Sequence, residues 1–212
     1  MQFPGRGARV AEPACTRMEE LVKTAAPGLL PHLRDKPFAF FGHSLGALVG
    51  FELARYLRRH FGLSPVRLIV SGHNAPQLPD PDVPIYNLPE AEFVQKLRAL
   101  NGMSREVLDN AELMQFLIPI IRADFEICDT YVYLADQPLS CPISAFGGLR
   151  DRYLSREGLE AWRAQSSVSF SLRMFPGDHF YLNTDRLLLL QAVARELTQT
   201  AAENAAVSEK NL

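Results

Sequence analysis

Gly42-His43-Ser44-Leu45-Gly46 stands between an apolar run, Pro37 to Phe41, and a helix-like run, Ala47 to His60, and it constrains the fold more than any other stretch. A strand, a sharp turn carrying a serine and an immediate helix together hold a hydroxyl at a strained, exposed corner beside helix-terminal N–H groups. That geometry suits a serine that becomes acylated. Glycine at 42 and at 46 has a steric reason in this reading, since a Cβ at either position is expected to collide with the flanking strand or helix. The same five-residue pattern also occurs in ordinary Gly/Ser loops, so the strand before it and the helix after it carry much of its meaning.

A serine hydroxyl is a poor nucleophile by itself and needs an imidazole base and a carboxylate that fixes the imidazole tautomer. Of the five histidines, His32 and His60 lie near segment ends, His43 is inside the elbow, and His73 follows the strand-like run Arg67 to Ser71. His179 follows a late strand pattern, Val168 to Phe175, through a Pro-Gly turn that delivers it to the sheet edge of Ser44; it is the expected base. The carboxylate is expected from the loop after the preceding strand, where Pro142 to Phe146 reads as a buried strand, Gly147-Gly148 as a turn, and Asp151 follows. Asp178 competes for that role, but residues adjacent in sequence project in different directions, and Asp178 reaches the ring of its own neighbour with difficulty. The bland alternatives make Asp151 a helix N-cap for Ser155 to Gln165 and His179 a capped loop residue. The order Ser, Asp, His along the chain is that of α/β-hydrolases and differs from the chymotrypsin and subtilisin orders.

At 212 residues and 47% hydrophobic content the chain suits one substantial core, so residues 1–212 are read as one domain with an insertion. A net charge of −2, from 22 basic and 24 acidic residues, gives no global field toward nucleic acid or a membrane surface, and neither is an expected partner. Cys15, Cys128 and Cys141 are odd in number and widely spaced, with no Cys-x-x-Cys or Cys/His ligand pattern. They read as reduced, packed side chains rather than as a disulfide framework or a zinc site. With no signal-peptide pattern and no uninterrupted run of about 20 apolar residues, a soluble cytosolic protein is expected.

Thr16 to Ala26 has helical spacing, with Thr16 and Glu19 as a capping box and Pro27 and Pro31 interrupting it. Phe38 to Phe41 suits a strand covered on both faces in a parallel sheet. Leu45 to His60 offers Leu48, Phe51, Leu53, Ala54 and Leu57 for packing, small Gly46, Ala47 and Gly50 for close approach to the sheet, and Arg58 and Arg59 at the negative end of the helix dipole. Between Asn74 and Ser140 the alternation stops: Pro76, Pro79, Pro81 and Pro84 form an extended linker, then Glu90 to Leu100 and Ala111 to about Leu134 read as helices. This insertion, 76–140, is expected over the carboxyl ends of the strands as a helical lid, its apolar face either lining an acyl pocket or burying itself against the sheet. The tail 201–212 is polar and Ala-rich and is expected to fray.

Several stretches together resemble a known family. They are Gln2 to Arg9 with Glu12-Pro13, Asp35 to Gly46, Pro119 to Asp124, Gly148 to Asp151, and Gly177 to Leu182. The chain is similar to the type II (editing) thioesterases of polyketide and non-ribosomal peptide synthesis and to the medium-chain acyl carrier protein hydrolases of fatty-acid synthesis. The resemblance implies an α/β-hydrolase fold, a mostly parallel sheet flanked by helices, and hydrolysis of an acyl thioester on the phosphopantetheine arm of an acyl or peptidyl carrier protein. In the family pattern nucleophile, acid and base fall on Ser44, Asp151 and His179, with no metal or bound cofactor, and a monomer is expected. Relatives carry a further amino-terminal segment before the Pro-Gly-Arg motif, comprising the first strands and a Gly-rich loop that donates one oxyanion N–H. Without it the backbone N–H of Leu45 alone holds the oxyanion, and a lost donor costs roughly 2.7–4 kcal/mol. The apolar edge of the serine strand is also expected to stand open. Two other functions follow as alternatives: a carrier-protein-binding module that keeps the fold but is catalytically silent, and an esterase of small free esters. Arg55, Arg58, Arg59, Arg150, Arg152 and Arg156 are candidates to meet an acidic carrier or to be plain solvated surface.

Overall fold

Among the described residues, four short runs become the strands of one fully parallel sheet, in the order β1-β2-β3-β4. A computed structural model describes residues 1–79, 83–100 and 102–210. Helix α1 spans Met18–Leu33, β1 Ala39–His43, α2 Leu45–Phe61 and β2 Arg67–Ser71. Then come α3 (Glu90–Leu100), α4 (Arg105–Leu108), α5 (Ala111–Asp129), β3 (Ile143–Gly148), α6 (Arg156–Glu160), β4 (Phe170–Phe175), α7 (Tyr181–Thr184) and α8 (Arg186–Lys210). Of the linker prolines, Pro81 lies outside the described residues, as do Asn211 and Leu212 of the tail; the backbone of 201–210 continues α8.

Several boundaries differ from the sequence reading, each for a local reason. Helix α1 starts at Met18 rather than Thr16 and runs through Pro27 and Pro31, because each proline removes one rung of the N–H ladder without removing the others. Helix α5 stops at Asp129, five residues short of the expected Leu134, where Thr130-Tyr131-Val132-Tyr133 brings β-branched and aromatic residues with poor helix preference. Gly147 and Gly148 close β3 instead of forming a turn after it.

The described chain divides into two compact units, residues 1–28 with 79–133, and residues 29–78 with 134–212. In the first, Phe93 and Leu97 of α3, Leu108 of α4, and Met114 and Ile118 of α5 form one buried cluster. Only part of the apolar run on α5 enters it: Met114 and Ile118 are buried while Phe116 is 52% exposed. Arg122 of α5 lies over the Phe93 ring and donates to the carbonyls of Tyr86 and Leu88, while the Asp129 carboxylate accepts from the N–H groups of Ile85 and Tyr86. Two sequence motifs meet here, since Arg6 forms a bidentate pair with Asp124 at 2.9 and 2.6 Å.

In the second unit β2 and β3 are buried along their whole length, as central strands of a parallel sheet covered on both faces should be. One face packs Ile69, Phe146 and Phe175 against Tyr181, Leu189 and Ala192. On α2, Leu48, Phe51, Leu53, Ala54 and Leu57 are buried as expected. Strand β1 is an edge strand among the described residues, with Phe41 43% exposed. Inside this unit Arg67 of β2 pairs with Glu196 of α8 at 2.8 Å, and Ser144 and Thr200 complete the buried polar cluster.

The carboxyl end of α2 corrects the reading of its arginines as a free basic surface. Arg55 is 2% exposed and reaches Glu52 and the Leu134 carbonyl, and Arg58 and Arg59 both bind the Asp136 carboxylate at 2.7 Å. These cations hold the segment 134–138 onto the helix. Burial opposes the charge on Asp136, but hydrogen bonds from Arg59, the Gln137 N–H and Arg58 outweigh it and bring the carboxyl down to about 2. A folded-state value below the unfolded 3.8 means that the stabilisation is complete above about pH 4 and disappears as the pH falls through about 2. Asp136→Asn is therefore expected to cost on the order of 1–2 kcal/mol at pH 6 and almost nothing at pH 2. Urea unfolding of both proteins at several pH values measures this, and a cost independent of pH would refute the linkage.

Candidate active site

The carboxyl ends of the four parallel strands converge on one rim, the usual place for a site in an open α/β sheet. Ser44 leaves the end of β1 and opens α2 with φ 54° and ψ −123°, the one positive φ of a non-glycine residue among those described. Such a backbone costs on the order of 1–3 kcal/mol and persists only where its surroundings over-determine it. Here the Ser44 N–H donates to the Ser71 carbonyl at 2.8 Å, its own carbonyl accepts from the Ala47 N–H at 2.8 Å, and a Cβ on Gly42 would lie 1.9 Å from the Gly46 oxygen. The steric reason therefore holds at position 42. It does not hold at 46, where an added Cβ would meet nothing within 4 Å, because the first turn of α2 carries that position away from the strand. The Leu45 N–H heads the helix, where no intrahelical acceptor exists.

Asp151 follows β3 and His179 follows β4, and the two loops are stitched together before either side chain matters. The N–H groups of Leu149 and Arg150 donate to the carbonyls of Phe175 and Gly177, both at 2.8 Å. Gly148 permits this closeness: a Cβ there would lie 2.4 Å from the Asp178 oxygen. Across the seam, His179 Nδ1 and Asp151 Oδ2 are 2.7 Å apart, with the Asp151 side chain fully buried and that of His179 16% exposed. The second oxygen of Asp151 accepts from the Tyr153 N–H at 3.0 Å. Asp178, the competing acid, instead accepts from the Phe180 N–H at 2.9 Å and shapes its own turn. The N-cap alternative for Asp151 also fails, since Ser155 caps α6.

The structure thus brings Asp151 and His179 into contact and places Ser44 on the same rim. The Ser44 hydroxyl makes no hydrogen bond to a described residue, and the ring of its neighbour His43 lies 4.9 Å from that of His179. Resting sites commonly show a long or unformed contact between nucleophile and base. Tyr153 and Phe180 flank the imidazole edge-on at 6.4 and 5.0 Å. No group of three or more metal-ligating side chains occurs among the described residues. Likewise, no described helix is long and apolar enough to cross a membrane.

Two supporting residues escaped the sequence reading. Asn74 donates to the Tyr153 carbonyl and accepts from the Ser155 N–H, tying the acid loop to the end of β2. Ser71 ends β2 with its hydroxyl between His43 and Tyr181. The available signal was position: both sit at or just past the carboxyl end of a buried strand, facing the rim.

A parallel sheet with a strained serine at a strand–helix corner, and an acid–imidazole pair on two later strand ends, has the architecture of an α/β-hydrolase. Comparison with known proteins narrows the class. The family model described as the thioesterase domain matches residues 1–200. The linear gramicidin dehydrogenase LgrE of Brevibacillus parabrevis is 46% identical over 200 residues, which are 93% of this chain and 76% of LgrE. Among solved structures, ClbQ of the colibactin NRPS/PKS pathway superposes with a TM-score of 0.90 at 30% identity, over 95% of this chain and 85% of its own. BorB, a type II thioesterase of the borrelidin biosynthetic cluster, gives 0.84 at 35% identity, over 92% and 79%. The chain belongs to the thioesterase domain family.

Proposed function

We propose that this chain hydrolyses acyl thioesters carried on the phosphopantetheine arm of an acyl or peptidyl carrier protein, with Ser44 as nucleophile, His179 as base and Asp151 as the acid that orients it. The observation that carries the reading is the 2.7 Å contact between Asp151 and His179 on the rim of the strained Ser44 corner. With Nδ1–H given to Asp151, His179 presents an Nε2 lone pair and accepts the Ser44 proton as Oγ attacks the thioester carbonyl. The Leu45 N–H supports the oxyanion, the protonated imidazole returns the proton to the departing thiol, and a water activated by the same nitrogen releases the free acid. No step calls on a metal or a bound cofactor. Family membership and the NRPS/PKS setting named for ClbQ favour a carrier-bound substrate over a free one.

The test offers the chain an acyl-loaded carrier protein and, separately, the oxygen ester of the same acyl group, and follows release of acid together with labelling of Ser44 by a fluorophosphonate. Turnover of the carrier-bound thioester with labelling at Ser44 is the expected result. Preference for the oxygen ester would indicate the small-ester esterase, and carrier binding without labelling or turnover would indicate the silent binding module.

A further inference from the structure

Four of the six arginines that stood as candidates for an anionic partner are engaged inside the chain. Arg55, Arg58 and Arg59 are taken by Glu52, the Leu134 carbonyl and Asp136, and Arg156 pairs with Glu160 at 3.0 Å. Arg150 and Arg152 differ: both are exposed, and neither side chain makes a hydrogen bond or ion pair with a described residue. They flank Asp151 on either side in the chain, each Cα about 3.8 Å from that of the proposed acid. Their loop is held by its backbone, the Arg150 N–H donating to the Gly177 carbonyl at 2.8 Å and the Asp151 N–H to that of Gly148 at 3.2 Å. Asp151 turns inward to His179 with its side chain fully buried, while Leu149 is 66% and Tyr153 38% exposed. The Tyr153 ring also stands edge-on to His179 at 6.4 Å, so this exposed strip begins at the imidazole itself.

The substrate proposed above brings an anion of its own to this strip. A phosphopantetheine arm joins its thioester to the carrier through a phosphodiester, and the chain between sulfur and phosphorus is about as long as five extended residues, roughly 17 Å. With the carbonyl at Ser44, such an arm leaves across the rim and carries its phosphate to the outside of the protein. Residues 149–153 follow β3 on that rim, in the same compact unit as Ser44 and His179. Two guanidinium groups suit the site, since their planar forks of N–H donors match phosphate oxygens in pairs. Next to the phosphate the arm carries a carbon with two methyl groups, and Leu149 offers exposed apolar surface beside the cations. The acids nearest in sequence are occupied: Asp151 by His179 and the Tyr153 N–H, Asp178 by the Phe180 N–H, and Glu160 by Arg156.

We propose that Arg150 and Arg152 form a binding site for the phosphodiester of the arm. The contact is made alike before and during the reaction, so it acts on KM and leaves kcat as it is. Being exposed and electrostatic, it weakens as salt rises. This inference rests on a thioester of the phosphopantetheine arm being the substrate, but one of its readouts needs no turnover.

Two free thioesters of one acyl group provide the test: one on pantetheine, and one on phosphopantetheine whose phosphate carries a methyl ester, keeping the single charge of the diester. In the wild type kcat/KM is expected to favour the phosphate-bearing thioester by about tenfold, through KM. That ratio should fall to about one in the double variant Arg150→Gln/Arg152→Gln, and in the wild type at about 1 M salt. Because the ratio compares two substrates on one protein, a poorly folded variant does not mimic its loss. Titration of the full chain with the methyl ester of phosphopantetheine, without an acyl group, should shift the Nε–H signals of Arg150 and Arg152 in nitrogen–proton spectra, and pantetheine should not. A ratio of about one in the wild type, a ratio that survives the double substitution, or no shift at either arginine overturns the proposal. So does a double variant impaired only with the loaded carrier protein, since the cations then meet the surface of the carrier. Shifts at both arginines in a chain that hydrolyses neither thioester would support the phosphate site and count against the proposed reaction.

Discussion

Ser44→Ala is expected to lower acid release from an acyl-loaded carrier protein by about 10⁶-fold, the scale at which loss of the nucleophile disables a serine hydrolase. The residue contributes its hydroxyl to the reaction and little to the fold. Its side chain makes no hydrogen bond to a described residue, and the bonds that hold the corner run from its backbone to Ser71 and Ala47. Alanine carries the same backbone strain at φ 54°, so unfolding stability should change by no more than about 0.5 kcal/mol. Activity and thermal unfolding measured on one preparation separate the two effects. A variant that retains turnover within about tenfold removes Ser44 as nucleophile; a variant that has lost its fold shows that the hydroxyl supports structure and leaves Asp151 to decide the chemistry.

Elements whose signals are local were legible in the sequence. Strand β2 was read at its observed bounds, Arg67–Ser71, because a continuous apolar run in a parallel sheet needs no knowledge of its neighbours. Helix α3 was likewise read as Glu90–Leu100, and the strand-then-turn patterns that single out Asp151 and His179 lead to two loops whose side chains meet. Reading stopped where partners lie far apart along the chain. Arg58 and Asp136 are 78 residues apart, and Ser71 and Tyr181 110, and nothing in either local stretch announces the other. Arg58 and Arg59 therefore read as carrier-facing or plain solvated cations, where the fold sets both on one carboxylate. The row behind the serine was missed for the same reason, since a lone serine ending a strand and a lone tyrosine opening a helix are each unremarkable until the fold brings their oxygens together.

Glycine shows a second limit. Gly42 and Gly46 look equivalent in the pentapeptide, yet only at Gly42 does the geometry forbid a side chain. Gly148 has the stronger claim on the chemistry, because it lets the base loop close on the acid strand, and in sequence it looked like half of a turn. Spacing gives the order of the functional groups; which backbone must approach which is decided by packing.

Asp151→Asn tests that arrangement most sharply, because the two oxygens of the carboxylate are committed to different partners. One accepts from the Tyr153 N–H at 3.0 Å and the other faces His179 Nδ1 at 2.7 Å. An asparagine must keep its carbonyl oxygen toward the Tyr153 donor, since its NH₂ there would face another N–H. The NH₂ then points at His179 Nδ1, which has to supply a lone pair, and the imidazole proton moves to Nε2. A base protonated at Nε2 cannot take the Ser44 proton. Turnover is expected to fall by about 10⁴-fold, the loss that the wrong tautomer causes in Ser-His-Asp enzymes, while the near-equal shape leaves the buried seam packed and the protein folded. Asp178→Asn is the control: among the described residues that side chain accepts only from the Phe180 N–H, a bond an amide oxygen preserves, so turnover should stay within about tenfold. If the two variants lose activity equally, or Asp178→Asn loses more, Asp151 is not the residue that orients the base.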